Sequence, residues 1–280
     1  MNNGFPKPPA EELTDKPVPS KIAKAKAAKV AAAKAALAAE SRKSVLIIND
    51  DNDINSEDDQ SVPIFMSAFK NLGYQVKIEK SKDTSYSTWL GNYDIIIWSC
   101  GGDYSAVNDI KSRRMLVDYV DKGGCLLLEG GDIAGWAKEF GGETVPNRMF
   151  REKVLHATED WVYHDVGDLI LKNNHPIATA PNVLPKTISF IPTETGDNSG
   201  DANAVRILPD ATGIYNWSHV AYEGKLVDDS IANSSYGLVA FEVKNGGRII
   251  YYAFDIDGIE DADIQQKLIQ NSENWLRGEK

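Results

Sequence analysis

The spacing of hydrophobic residues along the chain alternates between the period of a strand and that of a helix. VLIIN (45–49) and YDIIIWS (93–99) are continuous apolar runs, which are typical of parallel strands buried on both faces. Between them, SVPIFMSAFKNL (61–72) places its apolar residues at helical spacing, and YQVKIEK (74–80) alternates as a strand does. This succession predicts βαβ units and a parallel sheet.

The same succession continues towards the C-terminus. Residues 107–122 predict a helix that ends at Gly123-Gly124, CLLLEG (125–130) predicts a strand, and 133–142 a short helix. The helix predicted at 107–122 is expected to have an inward face formed by Ile110, Met115, Leu116, Tyr119 and Val120. YGLVAFEV (236–243) and RIIYYAFDI (248–256) then predict a hairpin, and a closing helix is expected from about Ala262 to Leu276.

Composition divides the chain into three parts. Residues 1–20 are polar and rich in proline, which predicts a disordered tail or linker. Residues 21–43 are mainly Ala and Lys, which predicts a helix; a solvated spacer is favoured over an arm that binds DNA or membranes. Residues 44–280 are predicted to form one α/β domain, in which 143–235 is an irregular, β-rich section.

Charge and hydropathy restrict the partners. The formal net charge is −11, from 41 acidic and 30 basic residues, which argues against nucleic acid as a partner. No apolar run approaches the roughly 20 residues that span a bilayer, and the N-terminus lacks the apolar segment of a signal peptide. We expect a cytoplasmic protein if the chain is complete, and an extracellular or cell-surface one if it is a fragment of a secreted protein.

Several motifs resemble the class I glutamine amidotransferase-like superfamily. They are VLIINDDND, YDIIIWSCGGDY and GGCLLLEGGDIAG. The resemblance implies a flavodoxin-like three-layer sandwich with a mainly parallel sheet. Residues 245–278 resemble the last hairpin and helix of degenerate accessory domains attached to secreted bacterial peptidases and surface proteins, and NNHPIATAP (173–181) is similar to a segment of the trehalose-utilisation branch of the superfamily.

The resemblance implies positions for a site and also a departure from the family pattern. Gly101, Gly102 and Asp103 match the oxyanion loop, and Asp132, which follows Gly131, matches the position of the nucleophilic Cys. A carboxylate cannot follow the thioester route of a thiolate, and no His-x-Glu motif occurs, so amidotransferase chemistry is not expected. The candidate histidines are His156, His164, His175 and His219, and a structural role is favoured for a lone His.

Two cysteines could in principle replace the missing thiol. Cys100 directly precedes the Gly-Gly turn and is a weak candidate for the nucleophile. Cys125 begins its strand, at the opposite end from the turn, and is therefore expected to be out of reach. A pair of buried, small hydrophobic residues is the favoured interpretation of both.

Acidic residues follow several of the predicted strands. They are Asp50, Asp51, Asp53, Asp103, Glu129, Asp132, Asp255 and Asp257. The carboxyl ends of parallel strands meet at one edge, so these carboxylates are expected to converge, and a hard cation such as Ca²⁺ would relieve their repulsion. The predicted ligands are Asp50, Asp51, Asp53 and Asp257; Asx turns and helix caps, with Asp132 as such a cap, are the favoured competing interpretation.

The leading hypothesis is a non-catalytic accessory or interaction domain, with no certain cofactor, whose partners are other domains of a larger protein or a separate protein. One alternative is a hydrolase that uses Asp132 as nucleophile or base, or a metal-activated water. Another is a carbohydrate- or ligand-binding module, suggested by Trp136, Trp161, Trp217 and the Tyr residues of the irregular section.

Overall fold

A computed structural model describes most of the chain beyond residue 42. The described residues are 43–50, 60–81, 90–101, 107, 109–131, 133–134, 145–159, 165–191, 202–222, 225–228, 233–244 and 246–278. The predicted tail at 1–20 and the predicted Ala/Lys helix, apart from Lys43, lie outside these ranges. Most of the short helix predicted at 133–142 also lies outside them.

The described residues form strands and helices in alternation. The strands are β1 (Ser44–Asn49), β2 (Gln75–Lys80), β3 (Ile95–Ser99), β4 (Leu126–Glu129), β5 (Ala157–Glu159), β6 (Asp165–Val166), β7 (Leu169–Leu171), β8 (Thr187–Ile188), β9 (Val205–Ile207), β10 (Thr212–Trp217), β11 (Val220–Tyr222), β12 (Lys225–Leu226), β13 (Tyr236–Glu242) and β14 (Arg248–Tyr252). The α-helices are α1 (Ser61–Asn71), α2 (Ile110–Asp121), α3 (Val145–Phe150), α4 (Pro176–Thr179) and α5 (Ala262–Leu276). A π-helical turn (Arg151–Leu155) and 3₁₀ turns (Leu90–Asn92 and Ile256–Gly258) complete them.

The main sheet begins as a parallel sheet and ends as an antiparallel one. The order β2-β1-β3-β4-β14 is parallel throughout, which is a flavodoxin-like order. From β14 the sheet continues through β13, β10, β7 and β8 with antiparallel pairs. The predicted α/β class with a mainly parallel central sheet is confirmed, and the irregular section 143–235 supplies several strands to this same sheet.

Successive residues of a strand point to opposite faces of the sheet, and β1, β3, β4 and β14 bury side chains on both faces, whereas the edge strand β2 is mostly exposed. Val45 and Ile47 pack on the side of α1 and α5, whereas Leu46 and Ile48 pack on the side of α2 and α3. The result is the three-layer sandwich that the sequence predicts.

One predicted core position of α2 is wrong. Ile110 is 43% exposed, whereas Leu116 and Val120 are buried. Ile110 is the first residue of the helix, directly after the N-cap Asp109, whose carboxylate accepts a hydrogen bond from the Ser112 amide. The spacing of apolar residues alone does not show that the first residue of α2 lies beyond the surface on which the helix packs.

Candidate functional site

The carboxyl ends of β1, β3, β4 and β14 meet at one edge of the sheet, where open α/β proteins bind their ligands. Backbone hydrogen bonds fix the segments that leave these strands. The Asp50 amide donates to the Ser99 carbonyl at 2.8 Å, and the Cys100 amide donates to the Glu129 carbonyl at 2.9 Å. The residues just beyond the strands are therefore held at defined positions along the edge.

The structure describes part of the predicted site at this edge. The described members are Asp50, Cys100, Gly101, Gly131 and Asp257. Asp51, Asp53, Gly102, Asp103 and Asp132 lie outside the described residues. The nucleophile position at Asp132 and the predicted cation ligands Asp51 and Asp53 therefore stay predictions.

Glu129 is the carboxylate at the centre of the described edge. It is fully buried. Its Oε1 accepts hydrogen bonds from Ser61 Oγ at 2.6 Å and from the Ile256 amide at 2.9 Å, and its Oε2 accepts one from Ser99 Oγ at 2.7 Å. These donors belong to the start of α1, the end of β3 and the segment after β14. Glu129 thus joins three separate elements through one side chain.

From the sequence, Glu129 is expected among the acidic residues of the edge, but it is not predicted as a residue of the site. Ser61 and Ser99 are 68 and 30 positions away along the chain. No local pattern identifies such partners. A Glu at the end of a fully apolar strand is the only signal, because a charge is rarely buried without hydrogen-bond partners.

Asp50 is the second buried carboxylate of this edge. It is 6% exposed, and its Oδ2 accepts hydrogen bonds from Trp98 Nε1 at 2.9 Å and from the Val107 amide at 3.0 Å. Val107 has a φ of 50°, which is a rare conformation for a β-branched residue. Asp50 therefore holds a strained point of the segment that follows β3.

Arg113, in the first turn of α2, also holds Val107, through the backbone carbonyl of that residue. Its Nε donates to the Val107 carbonyl at 2.6 Å, and another of its nitrogens donates to Asn147 Oδ1 at 2.5 Å. The side chain is 1% exposed and its guanidinium lies over the Phe150 ring. Burial, followed by the charge of Arg151, lowers the pKa of Arg113 to about 10, so it remains charged at neutral pH.

Two glycines at the edge allow close approach of β3 and β4. Gly101 and Gly130 have φ values of 52° and 139°, which L side chains rarely adopt. A Cβ on Gly130 would lie 2.8 Å from the Cβ of Cys100. The side chain of Cys100 is fully buried in this tight junction.

The described histidines are engaged away from this edge. In His156, Nε2 lies 3.1 Å from the Lys153 carbonyl and the ring stacks on Phe241; burial lowers its pKa. His175 caps α4, where its Nδ1 accepts a hydrogen bond from the Ile177 amide. His219 is exposed beside Ser218. His164 lies outside the described residues.

The predicted cation site is described only in part. Asp257 Oδ2 accepts a hydrogen bond from the Gln60 amide at 3.1 Å, and Asp50 is committed to Trp98 and Val107. Within the described ranges, no group of three His, Cys, Asp or Glu side chains is arranged to hold a metal ion. With Asp51 and Asp53 undescribed, a Ca²⁺ site stays a prediction.

The interpretation of Trp217 as an exposed platform for sugars is wrong. Trp217 is 1% exposed and packs edge-on against Phe190 and Phe254. Its Nε1 donates to the Asn203 carbonyl at 3.0 Å. It belongs to the core because it lies on β10, a strand inside the main sheet. Trp136 and Trp161 lie outside the described residues.

Comparison with known proteins gives the fold. A scan against protein-family models finds no match, and a search of curated proteins finds none. Among solved structures, the chain is similar to a protein described as ThuA-like from Bacteroides uniformis ATCC 8492, with a TM-score of 0.54 and 15% identity over 84% of this chain and 91% of that one. A ThuA-like protein from Parabacteroides merdae ATCC 43184 aligns with a TM-score of 0.48 and 12% identity, over 85% of this chain and 91% of that one.

The first of these likenesses supports one structural conclusion. ThuA-like proteins have the class I glutamine amidotransferase-like fold, and this chain has that fold too. At 15% identity the likeness extends to the fold alone. In addition, no helix in the described part of the chain is sufficiently long and apolar to cross a membrane.

Proposed function

We propose that this chain is a non-catalytic amidotransferase-like module that acts as an accessory or interaction domain. The observation that carries the proposal is the burial and hydrogen bonding of Glu129. This carboxylate lies at the edge where the fold normally binds substrate, yet it is fully buried and accepts hydrogen bonds from three donors of the protein itself. Asp50 is engaged in the same way.

These carboxylates are poorly placed for acid–base chemistry. A general acid or base must come within hydrogen-bond reach of the reacting group. Glu129 and Asp50 instead use their oxygens to hold neighbouring segments in place. The replacement of the expected Cys by Asp132, which follows from the resemblance to the family, supports the same proposal.

The proposal extends to the setting of the module. The resemblance of residues 245–278 to accessory domains suggests a larger secreted or surface protein, such as a peptidase. Its partners would then be other domains of that protein or a separate protein. A module of this kind would need stability and a recognition surface rather than a reactive centre.

Incubation with an electrophilic glutamine analogue tests the proposal, with intact-mass and peptide mapping as the readout. We expect no covalent adduct at Asp132 or Cys100, while an active amidotransferase labelled in parallel gains the mass of the reagent less its leaving group. An adduct at Asp132 or Cys100 of the folded protein would overturn the proposal.

A hydrolase is the second candidate, and the strained backbone of Val107 favours it. Residues in sparsely populated conformations cluster at active sites, and Val107 lies in the segment after β3 at the expected edge. Asp132 would serve as nucleophile or base, or a divalent metal would activate water. We would then expect Asp132→Asn to abolish turnover of an ester, amide, phosphate or glycoside substrate; absence of turnover with Ca²⁺, Mg²⁺ and Zn²⁺ would contradict this candidate.

A further inference from the structure

A cleft of about 940 Å³ opens at the other end of the parallel strands. Asp94 and Cys125, which directly precede β3 and β4, place it at the amino edge of the sheet. One stripe of α2, from Lys111 to Tyr119, and the C-cap residue Lys122 form its wall. Its volume is within the range of known ligand-binding clefts.

The wall of this cleft carries positive charge. Lys111, Arg114 and Lys122 line it, and none of them forms an ion pair within the part of the chain that the structure describes. Two carboxylates, Asp94 and the exposed Asp118, also line the cleft, so three cations face two anions there. Asp94 accepts hydrogen bonds from the amide and the hydroxyl of Ser44. A cluster of unpaired cations on a chain with a net charge of −11 creates a local field that attracts anionic groups.

The floor of the cleft is apolar and fixed. The Tyr119 ring packs closely against Gly124, where a Cβ would lie only 2.4 Å from the ring. Its hydroxyl donates to the Cys125 carbonyl at 3.2 Å, and burial raises its pKa, so it stays neutral. Met115 and Leu90 complete this floor. A matching ligand therefore combines carboxylates with at least one apolar group.

The spacing of the cations sets the size of the ligand. Lys111 and Lys122 are about 16 Å apart along the helix axis at 1.5 Å per residue. An extended peptide of about five residues covers that distance, whereas a single small carboxylic acid does not. We propose that this cleft binds an extended acidic segment of a protein partner, with an apolar side chain on the floor. This inference rests on the proposed role as an interaction module and gives the chemistry of its partner.

Fluorescence anisotropy with the full chain tests this inference. The probe is a fluorescein-labelled peptide of about eight residues, in which Glu and Asp flank one central Phe. We expect saturable binding that weakens as salt screens the charges. The variant Lys111→Glu/Arg114→Glu/Lys122→Glu should bind at least about tenfold more weakly, because three attractive contacts become repulsive. Replacing the Phe of the probe by Ser should also weaken binding.

A matched control has the same change in net charge elsewhere on the surface. Lys70, Lys186 and Lys225 are exposed and do not line the cleft. The variant Lys70→Glu/Lys186→Glu/Lys225→Glu should keep its affinity within about twofold, since distant exposed charges are screened at physiological salt. Circular dichroism and urea midpoints close to those of the parent chain identify variants that remain folded, and Lys111→Gln/Arg114→Gln/Lys122→Gln repeats the test with a milder change.

Three results would overturn the inference. They are the absence of saturable binding to the parent chain, an equal loss in the control variant, and equally tight binding of an oligonucleotide with the same dependence on the three cations. Failure of peptide binding leaves the labelling result at Asp132 and Cys100 unaffected. An adduct at those residues contradicts the proposed function but does not alter the peptide titration, so the two failures are distinguishable.

Discussion

The two edges of the parallel sheet differ in the environment of their charged residues. At the carboxyl edge, Glu129 and Asp50 are buried and accept hydrogen bonds from the protein itself. At the amino edge, Lys111, Arg114 and Lys122 line an open cleft and form no ion pair within the described residues. Burying a charge is costly unless hydrogen bonds compensate for the lost water. Under the proposed function, Glu129 and Asp50 at the carboxyl edge serve the fold, and the cations of the amino edge are available for recognition.

The largest expected effect is that of Glu129→Ala. This change removes the carboxylate that accepts hydrogen bonds from Ser61 Oγ, Ser99 Oγ and the Ile256 amide in the core. An unsatisfied buried donor costs about 1–3 kcal/mol, so we expect the free energy of unfolding to fall by about 3–5 kcal/mol. Urea unfolding, followed by circular dichroism, measures it.

Two further variants make this measurement specific. Glu129→Gln keeps the shape and one carbonyl acceptor, so its loss should be about 1–2 kcal/mol. Glu260→Ala removes an exposed carboxylate and should change little. If Glu129→Ala is no more destabilising than Glu260→Ala, the carboxyl edge does not depend on this carboxylate.

A smaller loss is expected for Asp50→Ala. The change removes the acceptor of Trp98 Nε1 and of the Val107 amide, and with it one of the two contacts that hold Val107 at its strained φ. We expect a loss of about 2 kcal/mol and faster hydrogen exchange at the Val107 amide. Asp50→Asn, which keeps an acceptor oxygen, should lose less. Equal exchange rates in both variants and the parent chain would show that Asp50 does not hold this segment.

The titration of His175 should make the free energy of unfolding depend on pH. This residue packs against Trp275 and lies near Arg248 at the start of β14. Burial, followed by the charge of Arg248, lowers the pKa of His175 to about 4 in the folded protein, from 6.5. Between these values the unfolded chain binds the proton and the folded chain does not. Stability is therefore fully present above pH 6.5 and is lost as the pH falls towards 4.

We expect this residue to account for about 1–2 kcal/mol between pH 7 and pH 4.5, because its partly exposed ring is screened by solvent. His175→Asn keeps a side-chain acceptor for the Ile177 amide and cannot titrate. Its unfolding free energy should depend correspondingly less on pH. Identical pH profiles for the two proteins would rule out this role.

The smallest effect on stability is expected at the cleft. Lys111→Gln, Arg114→Gln and Lys122→Gln remove exposed charges that form no ion pair in the described part of the chain. Each should change the free energy of unfolding by no more than about 0.5 kcal/mol. Together, however, the three changes should weaken binding of the acidic peptide. A large loss of stability in urea would mean that these cations support the fold and are not reserved for a ligand.

Local sequence signals were sufficient for much of the fold. Helix α5 begins and ends where the sequence predicts, because Asp261 caps it and its apolar residues repeat at helical spacing. Gly73 and Gly123, both with positive φ, stop α1 and α2 as glycines after a helix commonly do. The inner parallel strands β1, β3 and β4 are visible as apolar runs, because both of their faces are buried, whereas the edge strand β2 shows only as an alternating pattern.

The remaining features depend on contacts that are distant in sequence. Nothing near Glu129 identifies Ser61 as its partner, and nothing near Val107 indicates that Arg113 and Asp50 fix its backbone. The pairing of β10 with β13 and β7 was hidden for the same reason, since these strands are far apart along the chain. The cleft was missed because it forms only when α2 packs beside the residues that precede β3 and β4.

The two cysteine thiols allow the contrast between the buried carboxyl edge and the open amino-edge cleft to be measured in one sample. Cys100 is fully buried at the carboxyl edge, whereas Cys125 is partly exposed and lines the amino-edge cleft. Burial raises the pKa of Cys125, so its alkylation should be slow and should accelerate as the pH rises. Timed iodoacetamide labelling of the native protein, read by peptide mass spectrometry, should show Cys125 modified before Cys100 at every pH. Preferential modification of Cys100 near neutral pH would reveal an accessible, activated thiol at the carboxyl edge and contradict this account.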